Sequence, residues 1–333
     1  MTHKNHSTRV YILSLMALVL SFTAHTLLKN VSLGPRVYDL ATLTLGVLYE
    51  SVPFVILGII LSTLIQQYAP ISLISKFQSR RGFIRRSSLS VSGSFLPVCE
   101  CGNVPLARGL ILRGLHPSDA IVFILAAPVL NPITITTTHQ AFPDVPQLLI
   151  ARVLGTFLIA NVVGFFFSRY KQKDMLTKSF QTTCEHANND QKHTHKSKLT
   201  HHISRFSSTF ISEFRLLLPS LILGSFLAGT IQTIVPRSIL LELGYQPVLA
   251  IIVMIVIAFT ISICANVDAF FALSISNLFP KSAILAFLIF GPMVDFKMIT
   301  LLKTTFKARF IGLIVAHVFI LTMLFTLGAH YVI

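Results

Sequence analysis

Long runs of apolar residues, each bounded by short polar or basic stretches, dominate the pattern along the chain. They fall at about 10–28, 40–67, 88–113, 117–139, 147–168, 207–235, 247–279, 281–302 and 309–331. Most reach the ~20 residues that a helix needs to cross the hydrocarbon core of a bilayer. Runs 88–113 and 247–279 are interrupted near their middles by small and polar residues, the first also by proline. The pattern predicts an all-α, polytopic membrane protein. The run from Val10 to Leu28 follows a basic start. It is long for the apolar core of a signal peptide and no small-x-small site follows, so it reads as a retained first span.

Composition points the same way. Of 333 residues, 53% are hydrophobic and only 12% charged, with mean hydropathy +0.74. A soluble domain carries about a quarter charged residues, and this chain cannot cover a water-facing shell. The net charge of +15 raises nucleic acid as a partner, but its distribution argues against one. The basic residues cluster between apolar runs: Lys76, Arg80, Arg81, Arg85 and Arg86; the stretch from Arg169 to Arg205; then Lys303, Lys307 and Arg309. Cytoplasmic loops have this character, and anionic lipid headgroups are the simpler partner. Cys99 and Cys101 are too close in sequence for an unstrained disulfide.

An internal repeat is legible. Pro53-Phe-Val-Ile-Leu-Gly58 matches Pro219-Ser-Leu-Ile-Leu-Gly224, and at the same offset Gln66 meets Gln232 and Pro70 meets Pro236. Cys101-Gly-Asn103-Val104 matches Cys264-Ala-Asn266-Val267, and Pro128-Val-Leu-Asn131 matches Pro292-Met-Val-Asp295. Three ordered blocks anchored by Pro, Cys, Asn and Gln argue for duplication. Loop charge reverses between copies: 76–86 is basic and 139–147 is not, whereas 236–246 is nearly neutral and 303–309 is basic. The copies are therefore expected to be inverted in the membrane, each reading span, broken or re-entrant hairpin, span, span. A parallel arrangement follows instead if every apolar run crosses once. The expected organisation is an N-terminal span at 1–35, repeat one at 36–169, a cytoplasmic His/Lys-rich linker at 170–206, and repeat two at 207–333. The N-terminus is expected in the cytoplasm and the C-terminus outside.

The chemistry concentrates at the interruptions. Pro97-Val-Cys99-Glu100-Cys101-Gly102-Asn103-Val104-Pro105 breaks a helix within an apolar run, and its second copy holds Cys264, Asn266 and Asp268. Backbone freed at membrane depth must be buried in protein or line a wet cavity. A pocket between the two breaks is expected, with Cys99, Glu100, Cys101, Asn103, Asn131, Cys264, Asn266 and Asp268 as substrate-binding candidates. Cys99, Cys101 and Cys264 could supply a trigonal thiolate set for a soft species; the plainer alternative is that cysteine packs as a small apolar side chain. Intramembrane charge makes Glu50, Asp268 and Asp295 candidates for a coupling proton or cation. The alternative is structural pairing, as of Asp295 with Lys297. Asn131 and Asn266 could orient cargo or simply bond between helices. Arg108 and Arg113 follow the first break and mark its return to the cytoplasmic face. Cys184, His186, His193, His195, His201 and His202 are irregularly spaced in a polar stretch, which reads as a solvated linker. No phosphate-binding loop, dinucleotide fingerprint, nucleophile elbow or His-Glu-x-x-His occurs; no enzyme activity, cofactor or resident metal is expected.

The stretches Pro97-Val-Cys99-Glu-Cys101-Gly102, then Pro105, then Pro128-Val-Leu-Asn131-Pro132 resemble the motifs of a family of predicted permeases of bacteria and plastids that includes the organoarsenical efflux permeases. The resemblance covers about residues 40–331. It implies a multi-pass protein of a bacterial cell membrane or plastid membrane that exports a small solute; members with an assigned cargo export trivalent methylated arsenic. The reading is a secondary, proton- or ion-coupled efflux permease, against a non-transporting membrane subunit, scaffold or assembly factor. The partners expected are membrane lipid, a small-molecule or metalloid substrate, and a homo-oligomer mate or accessory subunit.

Overall fold

The computed structural model describes residues 35–68, 82–93, 99–192, 199–234 and 247–331. The apolar run at 10–28, Pro97, residues 76–81 and the loop at 236–246 lie outside the described residues. The described chain is helical: α1 Pro35–Tyr68, α2 Gly82–Ser92, α3 Glu100–Leu112, α4 Pro117–Ala126, α5 Pro132–Ala141, α6 Pro146–Phe167, α7 Gln172–Met175, α8 Lys178–Lys192, α9 Leu199–Ile234, α10 Pro247–Ile261, α11 Asp268–Ser274, α12 Lys281–Met293, α13 Phe296–Leu302 and α14 Ala308–Ala329. Among the described residues five segments are long and apolar enough to cross a membrane: Tyr38–Tyr68, Pro146–Phe167, Phe206–Thr230, Lys281–Leu302 and Ala308–Ala329. The protein is a multi-pass helical membrane protein.

Proline and capping residues set the element boundaries. Pro117, Pro132 and Pro146 stand at the first positions of α4, α5 and α6, where a missing N–H is no loss. Asn131 caps α5, its Oδ1 accepting from the Ile133 amide at 3.0 Å. Asp295 caps α13, accepting from the Met298 amide at 2.7 Å. These two residues are the partners in the third sequence block, and each stops the preceding apolar run. Runs 117–139 and 281–302 are thus each divided, a break that the hydropathy pattern does not register.

The order of elements runs twice. A long helix with internal proline (α1 with Pro53; α9 with Pro219) is followed by a helix that is polar in the first half and apolar in the second (α2; α10), a thiol-bearing break, a short helix, a further helix, a capped short helix and a 22-residue helix (α6; α14). The repeated glycines of the first block are packing points. A Cβ on Gly58 would stand 2.3 Å from the Gly102 carbonyl oxygen, so α1 crosses α3 backbone to backbone. A Cβ on Gly224 would stand 2.3 Å from Thr300 Oγ1 and 3.0 Å from Lys297 Cα, so α9 crosses α13. The first block therefore clamps different elements in the two halves.

The described parts of the basic segments are tied together by contacts. Arg85 pairs with Asp119 at 2.7 Å, and the guanidinium groups of Arg86 and Arg169 both lie over the Phe165 ring. The Thr177 amide donates to the Thr305 carbonyl at 2.9 Å and the Lys307 amide to the Met175 carbonyl at 3.0 Å. Arg108 donates to Glu213 at 3.0 Å and to Thr305 Oγ1 at 2.8 Å, with Phe180 beneath its guanidinium. Arg108 thus holds α3, α9, the 303–307 turn and the linker together. The linker's first part is helical and docked rather than merely solvated. Ser282 meets His330 at 3.1 Å.

Candidate functional site

The two breaks meet. The Cys99 thiol, the Glu100 carboxylate and the Cys264 thiol lie within 4.8 Å of one another, and all three residues are buried. Cys99 ends the first break: its carbonyl accepts from the Gly102 and Asn103 amides, opening α3. Cys264 does the same in the second, its carbonyl accepting from the Val267 and Asp268 amides ahead of α11. Each thiol is carried on the turn that restarts a helix. Ser262, where α10 stops, takes φ 51°, left-handed backbone that a residue with a Cβ enters at a cost. Cys101 is fully buried beside this group.

Each break carboxylate is met by a cation from the other half. Glu100, in the first break, receives Lys297 of α13, Nζ to Oε1 3.4 Å. Its other oxygen faces Cys264 Sγ at 3.7 Å. Asp268, after the second break, is held by Arg152 of α6 in a close ion pair. Arg152 also donates to Thr138 of α5 at 2.6 Å. Thr134 of the same helix reaches Asn266 Oδ1 at 3.3 Å. Thus α13 serves the first break, while α5 and α6 serve the second. Lys297 also stands 3.6 Å from Asp295 Oδ2. The three carboxylates and two cations are all buried, which makes them costly unless paired.

Of the candidates named from sequence, Cys99, Glu100, Cys101, Cys264, Asp268 and Asp295 belong to this connected centre. Asn103 is completely buried and neither atom of its amide has a hydrogen-bond partner. A buried amide left open is unusual and suits a group that bonds something transient. Asn266 is half-buried and bonded to Thr134. Asn131 serves its helix cap through Oδ1. Glu50 lies half-buried in α1, one turn before Pro53, with no contact to the centre among the described ones. Two participants escape a motif search: Arg152, and Lys297 as a partner of Glu100. An arginine within the otherwise apolar run 147–168 was the available signal for the first.

A family of predicted permeases (ArsP_1) matches residues 37–331, nearly all of the described chain and both breaks. The chain belongs to this predicted-permease family. Among the family's curated relatives, "UPF0718 protein YcgR" of Bacillus subtilis is 30% identical over 286 residues, covering 86% of this chain and 95% of the relative. A Streptococcus mutans protein named "Putative two-component membrane permease complex subunit" is 30% identical over 269 residues, covering 80% of this chain and 87% of the relative. No solved structure matches the permease.

Proposed function

We propose that the protein is a secondary permease whose cargo site is the thiol and carboxylate centre between the two breaks, and that it exports a small thiophilic solute such as a trivalent organoarsenical. The observation that carries this reading is the convergence of Cys99, Glu100 and Cys264 from separate halves of the chain. Two thiols and a carboxylate form a soft ligand set with one hard member, suited to a thiophilic centre and ill suited to an ordinary sugar or amino acid. The monosubstituted trivalent arsenical R–As(OH)2 would react with two thiols by forming two As–S bonds and releasing two waters, with no oxidant needed. Asn103, whose backbone amide donates to the Cys99 carbonyl at 3.2 Å, carries an open side-chain amide.

The crossed ion pairs support alternating access. If the halves are inverted copies, rocking one against the other would expose the centre to each side in turn, and the pairs Glu100–Lys297 and Asp268–Arg152 bridge the surfaces that would move. Three buried carboxylates face two buried cations, leaving one negative charge for a coupling proton or cation. Asp268 and Asp295 are the nearer candidates and Glu50 the more distant one.

The test is uptake into everted membrane vesicles of a trivalent methylated arsenical and of ordinary solutes, with and without a proton gradient. Arsenical uptake that is abolished in Cys99→Ser and in Cys264→Ser, with both variants still in the membrane, is the expected result. Equal uptake in wild type and both variants would refute thiol ligation. A second reading is favoured by the name of the streptococcal relative: this chain would act as one subunit of a permease complex. In that case vesicles holding the chain alone stay inactive until a partner subunit is supplied.

A further inference from the structure

We propose that Lys297 is a resident counter-cation of the cargo site, resting on Glu100 while the site is empty and moving onto Asp295 when a thiophilic cation is bound. This rests on the reading of Cys99, Glu100 and Cys264 as the cargo site.

The geometry around Nζ carries the proposal. A charge-assisted N–H to carboxylate bond normally closes to about 2.7–2.9 Å. Lys297 makes only a long one: it donates to Glu100 Oε1 at 3.4 Å and stands 3.6 Å from Asp295 Oδ2. The two acceptors differ in their ties. Asp295 is fixed as the cap of α13 through Oδ1, which leaves Oδ2 open to the ammonium. Glu100 divides its oxygens between two groups from the other half, Oε1 toward Lys297 and Oε2 toward Cys264 Sγ. The Lys297 backbone is pinned where α13 crosses Gly224, so the flexible four-carbon stem is the part free to move. Arg152 offers a contrast, since its guanidinium is bound to Asp268 and Thr138 together. One crossed pair is a lock and the other a latch.

A thiophilic dication entering between Cys99 and Cys264 displaces two thiol protons, forms two metal–sulfur bonds and takes Glu100 as a third ligand. Two protons leave for one double charge, so the charge of the cluster is unchanged and nothing is oxidised or reduced. With Glu100 taken up by the metal, the ammonium shifts to Oδ2 of Asp295. On release the thiols take up protons and Lys297 returns to Glu100. The empty site therefore never presents a bare buried carboxylate, and cargo is held more weakly than its ligands alone would hold it. The corresponding position in the first half is Ile133, two residues after Asn131 as Lys297 is after Asp295, so the device belongs to the second half only.

The test is titration of the purified full-length protein with Cd2+, read by the ultraviolet sulfur-to-cadmium charge-transfer band, with Cys99→Ser/Cys264→Ser as the blank. Removing a positive charge a few ångströms from the metal is expected to tighten Cd2+ binding about tenfold or more in Lys297→Met. Lys297→Arg keeps wild-type affinity. Asp295→Asn keeps the cap but removes the alternative anionic seat, and is expected to weaken binding; it also serves should Lys297→Met fail to fold. Equal affinity in wild type, Lys297→Met and Asp295→Asn, with the band lost in the blank, overturns the role of Lys297 and leaves the dithiol site standing. A band absent from every variant, or persisting in the blank, overturns the site and the proposal with it.

Discussion

Cutting the Arg152–Asp268 pair should destabilise the protein far more than its two residues suggest, and removing both partners should restore part of the loss. Both side chains are almost wholly buried, at 1% and 2% exposure. Asp268→Asn leaves a guanidinium buried with only Thr138 Oγ1 at 2.6 Å as partner. Arg152→Met leaves Asp268 facing Glu100 without its counterion. Removing one member of a buried pair costs about 3–5 kcal/mol, because the survivor is desolvated and unpaired. The double variant Arg152→Met/Asp268→Asn holds no unpaired charge. It should therefore be more stable than the sum of the singles by about 2 kcal/mol, within the coupling usual for contacting residues. The assay is a thermal ramp on purified protein in detergent, following the monodisperse fraction for wild type, both singles and the double. The pair joins α6 to α11, so the loss should appear as earlier separation of the two halves. Singles that melt with wild type, or a double that equals the sum of the singles, would refute the claim that this pair holds the halves together.

Three other outcomes are expected. Gly58→Ala should cost about 1–3 kcal/mol by overpacking and impair transport, because its Cβ would meet the Gly102 carbonyl at 2.3 Å; Gly46→Ala, with nothing within 4 Å, should be silent in the same thermal and transport assays. Ser262→Gly should raise the melting temperature slightly, by the equivalent of about 1 kcal/mol, since glycine relieves the left-handed backbone at φ 51°; a drop would mean that the Ser262 side chain matters more than the strain. Cys184 in α8 should resist maleimide at pH 7, because burial pushes its thiol up to about 11. Its labelling rate should rise roughly tenfold per pH unit up to that value, and a rate already flat at pH 8–9 would contradict the docked linker.

The breaks were legible because their residues conflict with their surroundings: proline, glycine, thiols and carboxylates have no reason to interrupt an apolar run unless the interruption is used. The blocks around Cys101 and Cys264, and around Asn131 and Asp295, fall in the structure at helix restarts and helix caps, roles that call for the same kinds of residue. The cross-pairing was not legible. Arg152 and Lys297 have no counterpart in the other half, standing opposite Ile314 and Ile133 in the element order, so a search for repeated residues passes over them. Lys297 is near Asp295 in sequence, which suggested that pair; its approach to Glu100 depends on the packing of α13 against α3. The docking of the linker through Phe180 and Arg108 was hidden for a related reason. A polar composition suggested solvation, while one aromatic side chain and one backbone pairing decide where the segment lies.

Two chain breaks far apart in sequence bring the Cys99 and Cys264 thiols within 4.8 Å of each other, and the site depends on that meeting. It is tested most directly by introducing a protease site at 193–198 in a Cys101→Ser/Cys184→Ser background, treating membranes with a mild thiol oxidant, cleaving, and running a non-reducing gel. The halves should migrate as one band that reductant separates, and Cys99→Ser or Cys264→Ser should abolish it. Two separate halves after oxidation of the intact thiol pair would contradict the account.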